Sequence, residues 1–118
     1  MAEQPMQWGL FWARLDPAEG SEQAGRRPVL VVSRETVNQI LPIAAVVPLT
    51  TRKPGRRVYP TEVLLPPAAA GQPDESIAMN HQVRTVSTRR LRGRIGTLTD
   101  QDLRNQVQQA LGLFLDLD

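Results

Sequence analysis

The sequence predicts a small α+β domain, mainly β, in which a strongly bent sheet or barrel is followed by a C-terminal α-helix. Three observations carry this. Short β-forming runs alternate with turn-rich segments. One segment alone, at the C-terminal end, has a clean helical period. The chain has 118 residues, enough for one hydrophobic core and little more, so one domain over residues 1–118 is the expectation.

The elements follow in order. Gln7–Leu15 mixes aromatic and β-forming residues (Trp8, Leu10, Phe11, Trp12) and reads as a first strand. Asp16–Gly25 holds Pro17, Gly20 and Gly25 and reads as a loop. Pro28–Ser33 is a continuous β-branched run, which predicts a buried strand, and Ile43–Leu49 repeats that character. Arg34–Pro42 between them is a polar connection with room for one helical turn. Thr50–Arg57 is a basic loop with a Pro54-Gly55 turn, and Val58–Leu65 is the next strand. Pro66–Glu75, rich in Pro, Ala and Gly, reads as a mobile excursion. Ser76–Val86 reads as the fifth strand, and Ser87–Gly96 as an irregular basic segment. Thr99-Asp100-Gln101-Asp102 has the form of a capping box with Thr99 as the cap. Leu103, Val107, Ala110, Leu111 and Phe114 then share one helical face, which predicts that they are core.

Composition excludes several classes. Hydrophobic residues make up 41% of the chain, which is ordinary for a globular domain. No apolar run reaches the ~18–20 residues that a membrane helix needs, and Met1–Pro5 lacks the charged and apolar pattern of a secretory signal. There is no cysteine, so disulfides and thiolate metal sites are excluded and a cytoplasmic location is expected. The formal net charge is only +2, but residues 52–94 hold nine bases against three acids while the tail from Thr99 is acidic. Thirteen of the fourteen bases are arginine, whose planar fork suits phosphate. A polyanionic partner fits this pattern, and so does a plain scatter of arginine over a solvated surface.

The familiar hydrolytic sites are missing. One histidine and no cysteine cannot build a His- or Cys-rich metal site, the acids are dispersed, and no phosphate loop or nucleophile elbow occurs. No cofactor is implied. What remains is an arginine at a strand entrance. Pro28 disfavours the α conformation for Arg27 and holds it extended. Thr50 ends the Ile43–Leu49 strand. Were the two strands neighbours, Arg27 and Thr50 would share one rim; otherwise they are a surface arginine and a strand-end threonine.

The segment Gly20–Ser33, GSEQAGRRPVLVVS, resembles the signature loop and second strand of the MazF/PemK toxin endoribonucleases, as does Phe11–Pro17 before it. Pro48–Thr51, Tyr59–Val63, Gln82–Val86, Arg90-Leu91 and Ile95–Thr99 resemble that family's later segments in the same order. The resemblance implies an SH3-like small β-barrel of the CcdB/MazF type. It implies a homodimer that cuts single-stranded RNA, an mRNA interferase, at short sequences without metal, leaving a 2′,3′-cyclic phosphate and a 5′-hydroxyl. It implies a cognate antitoxin that lays an acidic segment through the RNA groove.

By the same resemblance, Arg27 and Thr50 are the catalytic pair. Arg27 would bind the phosphoryl oxygens and Thr50 would donate one hydrogen bond to them. Ser21, Glu22, Gln23, Gln82 and Arg84 would contact bases, with Arg26, Arg52 and Lys53 also in the RNA-binding set; Arg56 and Arg57 extend the backbone path. A guanidinium keeps its proton, so Arg27 is a poor general base. His81 is suited by type to base work, to an RNA contact or to a structural role. Trp8 and Trp12 read as core or interface residues rather than base-stacking platforms. The chain departs from the family pattern at two places: Trp8-Gly9-Leu10 stands where Arg-Gly-Asp is common, and His81 stands where an acidic or polar residue precedes the Gln-x-Arg stretch. The second departure implies a different base preference. The alternative reading is a non-enzymatic toxin or binding module on the same barrel, such as a topoisomerase poison of the CcdB kind.

Overall fold

A computed structural model describes residues 4–117. The reading of Met1–Glu3 and the tail acid Asp118 therefore lie outside the described residues. The elements are β1 (Gly9–Arg14), β2 (Arg26–Val31), α1 (Glu35–Ile40), β3 (Ile43–Thr51), β4 (Glu62–Leu65), β5 (Ser76–Met79), β6 (Arg84–Ser87), β7 (Leu91–Thr97) and α2 (Gln101–Leu115). Two single 3-10 turns, Asn80–Gln82 and Thr88–Arg90, flank β6.

The strands form one antiparallel sheet in the order β4-β5-β3-β2-β1-β7, with β6 also on β3. β3 is the hub. One edge pairs with β2. The other pairs with β6 over Ile43–Val46 and with β5 over Leu49–Thr51. Among the described residues no pairing joins β4 to β7, so the sheet curls without hydrogen-bonded closure.

Alternation along the strands gives each face its own apolar set. Leu10, Leu30, Val47 and Leu49 point to one side, where Leu65, Ala78, Leu98 and two residues of α2, Val107 and Ala110, complete the packing. Ala13, Val29, Val31, Ala44, Val46 and Val86 point to the other side. Each fully buried Val or Leu contributes roughly 1.5–3 kcal/mol, so both faces hold the sheet.

Five expectations are corrected. The segment from Ser76 to Val86 is two strands, because the partner edge of β3 changes there and the chain crosses the gap in a 3-10 turn. Most of the irregular basic segment is β7, which pairs with β1 through an irregular register. The Pro66–Glu75 excursion is packed down: Ala70 is fully buried, and the Gln72 amide accepts from Ala70 N at 2.9 Å and donates to Pro66 O at 2.8 Å. A Cβ at Gly71 would meet the Ile95 carbonyl at 2.7 Å, so glycine permits this loop to lie on β7. The α2 cap is Asp100, accepting from Leu103 N at 3.0 Å, rather than Thr99. Phe114 is 45% exposed and not core, its ring meeting His81 instead of the buried cluster. Trp8, by contrast, is buried, with the Arg104 guanidinium 5.3 Å from its ring.

Candidate active site

The β2–β3 register runs Val29↔Pro48, Leu30↔Val47, Val31↔Val46. Continued two residues toward the strand ends, it sets Arg27 opposite Thr50. Residues opposite one another in an antiparallel pair point to the same side, so the two side chains share a face at one rim of the sheet. Both residues border a cleft of about 300 Å³, together with Pro28, Leu49, Thr51, Gln72, Asp74 and Ser76. Arg27 is half-buried, and its Nε donates to the Ala24 carbonyl at 3.2 Å, which leaves the terminal nitrogens available.

Pro48 and Thr50, two apart, lie on the same side. There Pro48 borders a second hollow of about 350 Å³ with Leu15, Glu22, Gln23, His81, Gln82 and Arg84. The first loop and the second 76–86 strand-turn segment, far apart in sequence, therefore meet beside the rim. The Gln82 side chain joins them: its Nε2 donates to Ser21 O at 3.0 Å and its Oε1 accepts from Gln23 N at 3.3 Å. Both ends of this amide are engaged in holding the loop. Arg84 donates to the Leu15 carbonyl at 2.9 Å, leaving its other terminal nitrogen uncommitted. His81 lies against Thr61, with Nδ1 3.0 Å from the Thr61 hydroxyl, and its ring makes a T-shaped pair with that of Phe114.

The basic loop after β3 is different. Arg52 pairs with Glu75 at 3.4 Å, and Lys53 is exposed; neither borders the cleft. Arg56 makes a two-point contact with Glu62, at 2.9 and 2.8 Å, and Glu62 also accepts from Tyr59 N at 3.0 Å. The Glu62 side chain is fully buried. Burial alone pushes its carboxyl up; the Arg56 hydrogen bonds, the Tyr59 amide and the charges of Arg56 and His81 outweigh that and hold it below its ordinary value. The same pairing raises Arg56 above its ordinary value. Sequence reasoning missed this pair, whose members stand six residues apart across a Tyr-Pro turn with no periodic signal.

Arg26 alternates away from Arg27, and its guanidinium stacks 4.4 Å from the centre of the half-buried Trp12 ring. Of the residues assigned from sequence, Arg27, Thr50, Ser21, Glu22, Gln23, His81, Gln82 and Arg84 thus gather around one rim; Arg26 borders the same cleft from the other face of β2, against Trp12, while Arg52 and Lys53 stand apart. Gln72, Asp74 and Ser76 join the cleft unannounced by sequence, because their loop read as mobile. Among the described residues no three His, Cys, Asp or Glu side chains gather into a metal cage. No helix among them is long and apolar enough to cross a membrane.

Residues 6–115 match the family described as PemK-like, MazF-like toxins of type II toxin–antitoxin systems. The chain is 36% identical to endoribonuclease MazF9 of Mycobacterium tuberculosis over 118 residues, covering 95% of this chain and 98% of that protein. It is 38% identical to the endoribonuclease toxin MazF of Escherichia coli K12 over 96 residues, covering 80% of this chain and 79% of that protein. Its fold superposes on crystalline MazF of Deinococcus radiodurans with a TM-score of 0.76 and 30% identity, covering 98% and 99% of the two chains.

Proposed function

Because the chain belongs to the PemK-like, MazF-like toxin family of type II toxin–antitoxin systems, we propose that its rim is the active site of an endoribonuclease toxin. The protein cuts single-stranded RNA, mRNA above all, at a short sequence, without a metal, and a cognate antitoxin silences it. It acts in the cytoplasm as a homodimer of one domain per chain. The observation that supports this best is the one cleft that Arg27 and Thr50 both border.

The chemistry asks little else of the protein. The attacking group is the substrate's own 2′-hydroxyl, so the site must align it with the phosphorus and the leaving 5′-oxygen. The O2′–P bond forms as the P–O5′ bond breaks; the proton the 2′-hydroxyl gives up balances the one the departing 5′-oxygen takes, so the products are a 2′,3′-cyclic phosphate and a 5′-hydroxyl. Arg27 contacts two phosphoryl oxygens at once, and Thr50 donates to one of them. Both donors stand ready before the charge develops, which is the source of their effect. Ser21, Glu22, Gln23, His81 and Arg84 read the bases beside the cleft. Gln82 keeps the reading loop in place while bordering the same hollow. Arg26, Arg52 and Lys53 contribute positive charge farther along the strand.

The test is cleavage of a long RNA in EDTA, with the ends mapped. Wild-type protein should cut at a few sites and leave cyclic phosphates. Arg27→Ala should lose at least about 100-fold in rate with an unchanged Tm. Intact RNA with wild-type protein supports the non-enzymatic reading instead, and a fully active Arg27→Ala removes the proposed pair.

A further inference from the structure

Among the described residues, several arginines without a protein partner lie together, away from the hollow proposed to read bases. On β1 and β7, Trp12 lies opposite Arg92, and on β1 and β2, Arg14 lies opposite Arg26. The turn Thr88–Arg90 brings Arg89 and Arg90 alongside. Together these residues border a hollow of about 510 Å³ in which Asp16 is the only acid. Arg14 faces that acid at 3.6 Å, and Arg90 is held by the carbonyls of Arg14 and Asp16 at 3.3 and 3.4 Å. Among the described residues the side chains of Arg26, Arg89 and Arg92 have no hydrogen bond or ion pair to protein. By contrast Arg94, the next base on β7, is bound to Pro5 O and the Thr97 hydroxyl at 2.8 Å each.

This hollow adjoins the cleft at Arg27 and Thr50, since Trp12 and the Arg26 stacked on it border both. Uncompensated arginines beside an aromatic ring are what a single-stranded nucleic acid backbone requires. We propose that the Trp12 groove binds phosphates of the RNA that flanks the cut site, with Arg26, Arg89 and Arg92 as the contacts. The proposal rests on the nuclease reading above. The groove adds affinity for long RNA and takes no part in the bond cleavage.

The test compares two RNAs, one holding the mapped cut site alone and one holding it within long unstructured flanks. The variants are Arg89→Ala/Arg92→Ala and the charge-keeping Arg89→Lys/Arg92→Lys. For the alanine pair, KM on the long RNA should rise about tenfold. Its dependence on log salt should fall by about 1.4, from ~0.7 per phosphate contact on single strands. The short RNA should be cut as by wild type, and the lysine pair should recover most of the salt slope. An alanine pair with wild-type KM and salt slope on the long RNA overturns the proposal. Loss of poly-glutamate binding with long-RNA cleavage unchanged also overturns it, and assigns the groove to an acidic protein. Should wild-type protein cut neither RNA, it is the nuclease reading that fails.

Discussion

Residues 52–57 place four bases in six positions, and residues 89–92 place three in four. In the first group Arg52 and Arg56 are matched to Glu75 and Glu62, and Arg56 secures a carboxylate that water does not reach. In the second group, among the described residues, Arg89 and Arg92 have no carboxylate partner and Arg90 is held by neutral carbonyls. The same residue type is therefore structural in one segment and available in the other. Local charge density does not distinguish them. The distinction lies in whether the fold brings an acid within reach.

This contrast can be broken experimentally, most forcefully at Arg56. Arg56→Ala strands the buried Glu62 carboxylate, which should cost about 3 kcal/mol and lower Tm by about 10 °C. An unchanged Tm with a raised KM for RNA would show that Arg56 is a ligand-facing base after all. The pH dependence sharpens the point. Folded Glu62 holds its proton less tightly than in the unfolded chain, so its pairing stabilises the fold above its ordinary range. That stabilisation is lost as pH falls through the lowered value. The stability gap between wild type and Arg56→Ala should accordingly narrow in acid denaturation series taken below about pH 4.5, where the stranded group is neutralised. A gap that stays constant would mean the carboxylate is not the cause. At the small end, Arg52→Ala removes a half-exposed pair and should cost less than about 1 kcal/mol, measured by urea unfolding. A loss well beyond that would make the whole loop structural.

Much of the fold was legible because burial imposes periodicity. The β-branched runs in β2 and β3 and the 3.6-residue stripe of α2 state their own environment. β7 was not legible. Leu91-Arg92-Gly93-Arg94 has neither β-branched residues nor simple alternation, and it folds as a strand only because β1 offers an edge, through an irregular register. The site followed the same division. Arg27 and Thr50 could be set together once their two strands were taken as neighbours. The Trp12–Arg92 groove could not, since it depends on β7, and the Gln72–Ser76 side of the cleft depends on a loop whose glycine and alanine read as slack rather than as close packing.

On its outer edge β3 exchanges one neighbour for another between Val46 and Leu49. Pro48 stands in that interval and has no N–H to leave without a partner. The sheet is thus jointed there, two residues before Thr50. The Thr50 hydroxyl rides on the β5 half and the Arg84 side of the hollow that Pro48 borders on the β6 half. On the function proposed above, a change in the angle between the halves would shift the Thr50 hydroxyl against the residues assigned to the bases. If Thr50 and Arg84 act as proposed, the choice of cleavage site depends on how firmly that joint is packed, and core substitutions at Val46, Val47 or Leu49 should blur it before they abolish the fold.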